Sequence, residues 1–272
     1  MNIFLKLATC LLLVKVSFGG VVFEDDFNTG NLSKWGTKGS NVSIDQTGGL
    51  NNSPAVKWTY NKSGTPPYEL IAGIGSHNLS NIYIRVYFKA VKDSTTSGAK
   101  FIKPMGKLDS RGFYANSTFG LNQWNDTLNE VAYGMGLNNN DTTQILRFDG
   151  TMRTGVDPLV TYPVKKGAIN PFSGIWHCYE VHMKYSTLAN RDGEYDVWLD
   201  GVLHFSARNV INHGPDNKTE FALVRFGDYA GSPFEGNWEL WMDNIVISDQ
   251  YIGPIDTPSS TLTYPKNFKK NP

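Results

Sequence analysis

Apolar and polar residues alternate along much of this chain with a period of two. In IYIRVYFKAV (82–91), Ile82, Ile84, Val86, Phe88 and Ala90 fall on one side and Tyr83, Arg85, Tyr87 and Lys89 on the other. That spacing describes a strand with one face in a core. WHCYEVHMKY (176–185) repeats it, with Glu180, His182 and Lys184 between Tyr179, Val181, Met183 and Tyr185. EYDVWLDGVLHFS (194–206) reads as a hairpin closed by the tight-turn dipeptide Asp200-Gly201. AKFIKPMG (99–106), QILRFDG (144–150), FALVRFGDY (221–229) and NWELWMDNIVIS (237–248) read as further strands, separated by Gly, Asn, Asp, Ser and Pro. No helix of useful length is legible. Strands so spaced predict an all-β, two-sheet antiparallel sandwich. Residues 107–142, rich in Asn, Gly and aromatics, predict a long excursion with one strand around Val131–Leu137. The Pro/Ser/Thr-rich and basic end, 256–272, predicts disorder.

Composition narrows the class. The 272 residues suit one large β domain over 20–255, and 40% apolar content is enough for a sizeable core. The formal net charge of zero predicts no general adhesion to nucleic acid or to an anionic membrane. The first 19 residues, MNIFLKLATCLLLVKVSFG, read as a secretory signal, with Lys6 ahead of the apolar stretch Leu7–Val14. That stretch is too short to span a bilayer. Its removal leaves 23 basic against 25 acidic residues and a single cysteine, Cys178, so an intrachain disulfide is excluded. Nine N-x-S/T sequons predict a glycoprotein of an extracellular setting.

Three segments carry a family resemblance. VVFEDDFNTGNLSKW (21–35) is an acidic, aromatic opening strand and turn. WHCYEVHMKYSTLANRDGEYDVWLDGVL (176–203) joins two strands by a turn and ends in W-x-D-G. NWELWMDNIVISDQYIGPI (237–255) closes the domain. Together they resemble the concanavalin A-like lectin/glucanase superfamily, and more narrowly its polysaccharide-lyase-like jelly rolls. The resemblance implies two curved antiparallel sheets, one of whose faces forms a glycan groove. It also implies a structural Ca²⁺ between the first and last strands, for which Glu24, Asp26 and Asp243 supply hard oxygen ligands. Zinc is disfavoured, since the five histidines show no compact pairing.

Function is the least constrained part, because this fold hosts lectins, hydrolases, lyases and inert modules. The Glu-x-Asp-x-(x)-Glu cluster of retaining glucanases is missing: Glu194-Tyr195-Asp196 begins it, but no second Glu follows. A lyase acting on an acidic, uronate-containing polysaccharide needs a cation to neutralise the sugar carboxylate and a group to take the proton beside it. Under that reading His182 and Tyr87 are the acid/base candidates. Arg85, Lys184 and Arg225 are the candidate neutralising cations. Glu180, Lys89, Lys103 and Arg147 would line the groove, and Trp198 would stack on sugar. The alternatives are a non-catalytic lectin-like module and a structural surface or matrix glycoprotein.

Overall fold

The computed structural model describes residues 20–36, 41–60, 69–92, 97–108, 114–116, 119–123, 134–139, 142–147, 174–187, 190, 192–210, 220–227 and 238–255. Residues 1–19, 148–173 and 256–272 lie outside this set. Among the described residues, no helix is long and apolar enough to cross a membrane.

The described residues form fifteen strands: β1 (Val21–Asp25), β2 (Val42–Asp45), β3 (Ala55–Tyr60), β4 (Leu70–Gly73), β5 (Asn81–Lys92), β6 (Ser97–Leu108), β7 (Tyr114–Asn116), β8 (Phe119–Gln123), β9 (Gly134–Asn139), β10 (Thr142–Arg147), β11 (His177–Lys184), β12 (Gly193–Leu199), β13 (Val202–Val210), β14 (Phe221–Phe226) and β15 (Trp238–Ser248). An eight-stranded sheet runs β13-β12-β11-β5-β15-β3-β2, with β1 also paired to β15. A five-stranded sheet runs β4-β14-β6-β7, with β8 also on β6, while β9 and β10 form a ribbon. Every pairing is antiparallel, as the sandwich expectation required. The excursion at 107–142 is more regular than its composition suggests, because β7 and β8 precede β9, the strand expected near residue 134.

Period-two alternation sets which face meets the core. Ile82, Ile84, Val86, Phe88 and Ala90 of β5 enter it with Tyr179, Val181 and Met183 of β11 and Tyr195, Val197 and Leu199 of β12. The five-stranded sheet answers with Leu70, Ala72, Ile102, Val224 and Phe226. The β12–β13 hairpin turns on Asp200 (φ 49°) and Gly201 (φ 76°), the left-handed pair that a two-residue I′ turn demands. In β15 the register against β5 slips between Asp243 and Val246, with Asn244 at φ 48°. This bulge resets the alternation, so Met242 and Ile245 both reach the core while Asp243 lies on the opposite face of the sheet, buried under Leu50 and Ser53.

The two sheets meet closely at Gly227, the residue after β14. Its φ of 70° is left-handed, and a Cβ there would lie 2.4 Å from Trp58 Nε1. Trp58 is fully buried. Gly227→Ala therefore imposes both backbone strain and displacement of a core indole, at about 2–4 kcal/mol. A urea transition should move to lower midpoint with an unchanged slope.

Candidate functional site

The outer face of the eight-stranded sheet carries the residues marked in the sequence, and the register brings them together. Glu180 stands opposite Arg85 on β5 and Trp198 on β12. His182 stands opposite Tyr83 and Asp196, and Cys178 opposite Tyr87. The expected convergence is present. Over these residues the chain lays a segment of its own.

Residues 249–255, just past β15, lie across this face. The amides of Ile252 and Gly253 donate to the two oxygens of Glu180 at 2.9 and 2.8 Å. Arg85 Nη1 donates to the Gly253 carbonyl at 3.1 Å, and the Ile255 amide donates to Tyr87 Oη at 2.7 Å. Asn81 Nδ2 donates to the Asp249 carbonyl, and the Tyr251 ring packs 5.1 Å from that of Trp198. Glu180 is 1% exposed and Arg85, Tyr87 and Trp198 are also buried. Burial pushes the Glu180 carboxyl up to about 7, and it outweighs the two amide bonds and the Arg85 charge that favour ionisation. Burial likewise raises the Cys178 thiol to about 12, which fits an inert core cysteine.

His182 is held from both sides. Its Nδ1 lies 2.8 Å from Asp196 Oδ2, its Nε2 lies 2.6 Å from Asn81 Oδ1, and its ring stacks on Tyr83. Arg208 of β13 bridges Asp196 at 2.8 Å and Glu194 at 3.4 Å, while Lys184 bonds Glu194 at 2.9 Å. Burial opposes the Asp196 charge, but the bonds from His182 and Arg208 prevail and hold this carboxyl below its ordinary range. His182, Glu194 and Asp196 offer ligand atoms within 4.8 Å of one another. Lys184 and Arg208 already supply positive charge there, so the group is an ion network tying β11, β12 and β13. Lys89 is also engaged: its Nζ donates to the Gly48 carbonyl at 2.9 Å and sits over the Trp176 and Trp241 rings. His182, Tyr87, Arg85, Lys184, Glu180 and Lys89 thus each bond within the fold, and Trp198 packs against Tyr83 and Tyr251.

Two other marked cations share a different surface. On the outer face of the five-stranded sheet, Arg225 of β14 stands directly opposite Lys103 of β6 and Ile71 of β4. Both basic residues point away from Val224, Phe226 and Ile102, which face the core. Arg225 Nη1 meets the Glu69 carboxylate at 2.9–3.0 Å, and its side chain is 26% exposed. Lys103 is half-buried. Arg147 ends β10, and its side chain lies outside the described residues.

At the expected calcium position, Glu24 is exposed and its carbonyl accepts from Lys34. Asp243 is fully buried and receives Leu50 N, Ser53 Oγ and Asn244 N. A Cβ on Gly49 would fall 2.7 Å from Asp243 Oδ2, so this loop hugs the carboxylate. Burial, with a contribution from the Asp26 charge, raises the Asp243 carboxyl above its ordinary value. A divalent cation beside Asp26 and Asp243 would relieve both effects.

No family model matches the chain, and no curated protein matches it. Solved structures do. The endo-β-1,4-glucuronan lyase of the fungus Trichoderma reesei aligns with a TM-score of 0.58 at 13% identity, covering 84% of this chain and 95% of that one. The PL-14 alginate lyase from Aplysia kurodai aligns at 0.55 and 11%, covering 86% and 100%. The alginate lyase vAL-1 from Chlorella virus aligns at 0.52 and 16%, covering 84% and 99%. The chain is an antiparallel β jelly roll of the architecture these polysaccharide lyases share.

The strap at 249–255 was not foreseen. Its signal in the sequence is YIGPI, an apolar run with a Gly-Pro step directly after the last strand.

Proposed function

We propose that this protein is an exported, glycan-directed jelly roll that recognises an acidic, uronate-bearing polysaccharide through the outer face of its five-stranded sheet and cleaves it by β-elimination. The observation that carries the reading is the cross-strand pair of Arg225 and Lys103, two cations side by side on a sheet face and turned from the core. Arg225 is held in place by Glu69, and Lys103 adds a second positive charge. Such a pair suits a sugar carboxylate, and neutralising that carboxylate acidifies the neighbouring C–H; in β-elimination that proton passes to a base, a C4=C5 double bond forms and the 4-linked oxygen leaves with the C4–O bonding pair and is protonated. The likeness to glucuronan and alginate lyases supports the substrate class, and the leader-like first 19 residues support export.

The test is incubation with glucuronan, alginate and a neutral glucan. Growth of ultraviolet absorbance from an unsaturated sugar, with uronate polymers only, supports cleavage. Tight binding without product reduces the reading to recognition. Indifference to every uronate polymer removes it.

Calcium belongs to the same reading as a structural ion, held by Asp26 and Asp243 and stabilising the junction of the first and last strands. Saturating calcium should raise stability by about 2.7 kcal/mol at a hundredfold excess over its Kd. Chelation should reverse this, and Asp243→Asn should abolish the response. An unfolding temperature insensitive to calcium and chelator in the parent protein would count against the site.

A further inference from the structure

We propose that Arg208, Asp196, His182 and Asn81 form one continuous hydrogen-bond chain, with a doubly protonated His182 as its central link, that couples the edge strand β13 to residues 249–255. This is independent of the role assigned to the five-stranded sheet.

The links cross the sheet in order. Arg208 Nη2 donates to Asp196 Oδ2 at 2.9 Å, and His182 Nδ1 lies 2.8 Å from the same oxygen. His182 Nε2 lies 2.6 Å from Asn81 Oδ1, and Asn81 Nδ2 donates to the Asp249 carbonyl at 3.1 Å. Four neighbouring strands, β13, β12, β11 and β5, each supply one member. The last bond leaves the sheet for the segment laid over it. Asp196 and His182 are 3% exposed, whereas the Arg208 side chain is 45% exposed at the sheet edge. Buried polar groups have little access to replacement partners, so a break at one link is felt at the next.

The protons follow from the acceptors. A main-chain carbonyl only accepts, so the Asp249 oxygen turns the Asn81 amide with Nδ2 toward it. That leaves Oδ1, also an acceptor only, facing His182 Nε2. The Asp196 carboxylate faces Nδ1. Both ring nitrogens therefore donate, and a ring that donates twice is an imidazolium. A neutral ring would set a lone pair against one of the two oxygens. Glu180 and Lys184 flank His182 on its own strand, Glu194 and Asp196 come from β12 and Arg208 from β13, and the Tyr83 ring of β5 stacks 4.3 Å away. Asp196 is the carboxylate that meets the imidazolium directly. With no lone pair to offer, His182 is withdrawn from the proton-accepting work for which its residue type singled it out.

Two measurements on the full chain test this. Nitrogen NMR of histidine-labelled protein at neutral pH should find a proton on each ring nitrogen of His182. An unprotonated ring nitrogen overturns the central link, and this measurement needs no substitution that might unfold the sheet. Urea unfolding of Arg208→Ala, Asn81→Ala and the double variant tests the coupling. Either single change breaks the same chain, so the double variant should fall short of the product of the two single losses in folding equilibrium constant by about threefold or more. In a His182→Leu background the two losses should simply multiply. Multiplication in the parent background, or a shortfall that survives His182→Leu, overturns the chain.

Discussion

Asp196→Ala lowers the unfolding free energy by about 3–5 kcal/mol, the cost expected when one partner of a buried charge cluster is removed. Asp196 is 3% exposed and accepts His182 Nδ1 at 2.8 Å and Arg208 Nη2 at 2.9 Å. Without it the imidazole loses a partner inside the sheet, and Arg208 keeps its contacts to the Tyr195 carbonyl and to Glu194 without the buried carboxylate between them. The effect carries a pH signature. The Asp196 carboxyl is held below its ordinary value of 3.8 in the folded protein, so its contribution is complete above that value. It is lost as the pH falls through the lower, folded value, and parent and variant should converge in strong acid. Urea unfolding followed by tryptophan fluorescence at neutral and acidic pH measures both parts. A difference under about 1 kcal/mol at neutral pH would place the cluster among ordinary surface ion pairs.

The same residues show how far the sequence could be read. Alternation in 82–91 and 176–185 fixed which side chains share a face, because a strand turns each successive residue to the opposite side. The left-handed Asp200-Gly201 turn was legible for the same local reason. Register was not local. That Glu180 meets Arg85, and that His182 meets Asp196, depends on pairing segments far apart in the chain. The polar face was therefore recognisable while its partners were not, and partners decide whether a histidine is free to take a proton.

The contacts of the 249–255 segment were hidden for a different reason, although YIGPI marks its place. Its contacts to Glu180, Arg85 and Tyr87 run through the main chain of residues 252, 253 and 255, which any sequence possesses. Asn244 presents a third case. Its left-handed conformation resets the face pattern of β15, and strict alternation along 237–248 would have turned Ile245 outward. Lys103 and Arg225 were singled out among several cations. What distinguishes them is direct opposition on β6 and β14, a property of the folded sheet.

That opposition leads to the largest expected functional effect. Lys103→Ala weakens transition-state stabilisation on a uronate polymer by about 1.5–3 kcal/mol, the scale of one charge-assisted hydrogen bond, or roughly 10–150-fold in kcat/KM. Arg225→Ala would remove the guanidinium paired with the buried Glu69 carboxylate, and would confuse folding with function. Lys103→Arg should recover much of the loss, since charge matters more than length against a carboxylate. Tyr87→Phe provides the opposite control: it removes the oxygen that accepts the Ile255 amide, so it should loosen the 249–255 segment while leaving turnover near the parent value. Kinetics on glucuronan and alginate, with thermal unfolding alongside, separate these outcomes. If Lys103→Ala turns over normally while Tyr87→Phe is inactive and folded, the chemistry belongs to the eight-stranded sheet, as the alternation of the sequence first suggested.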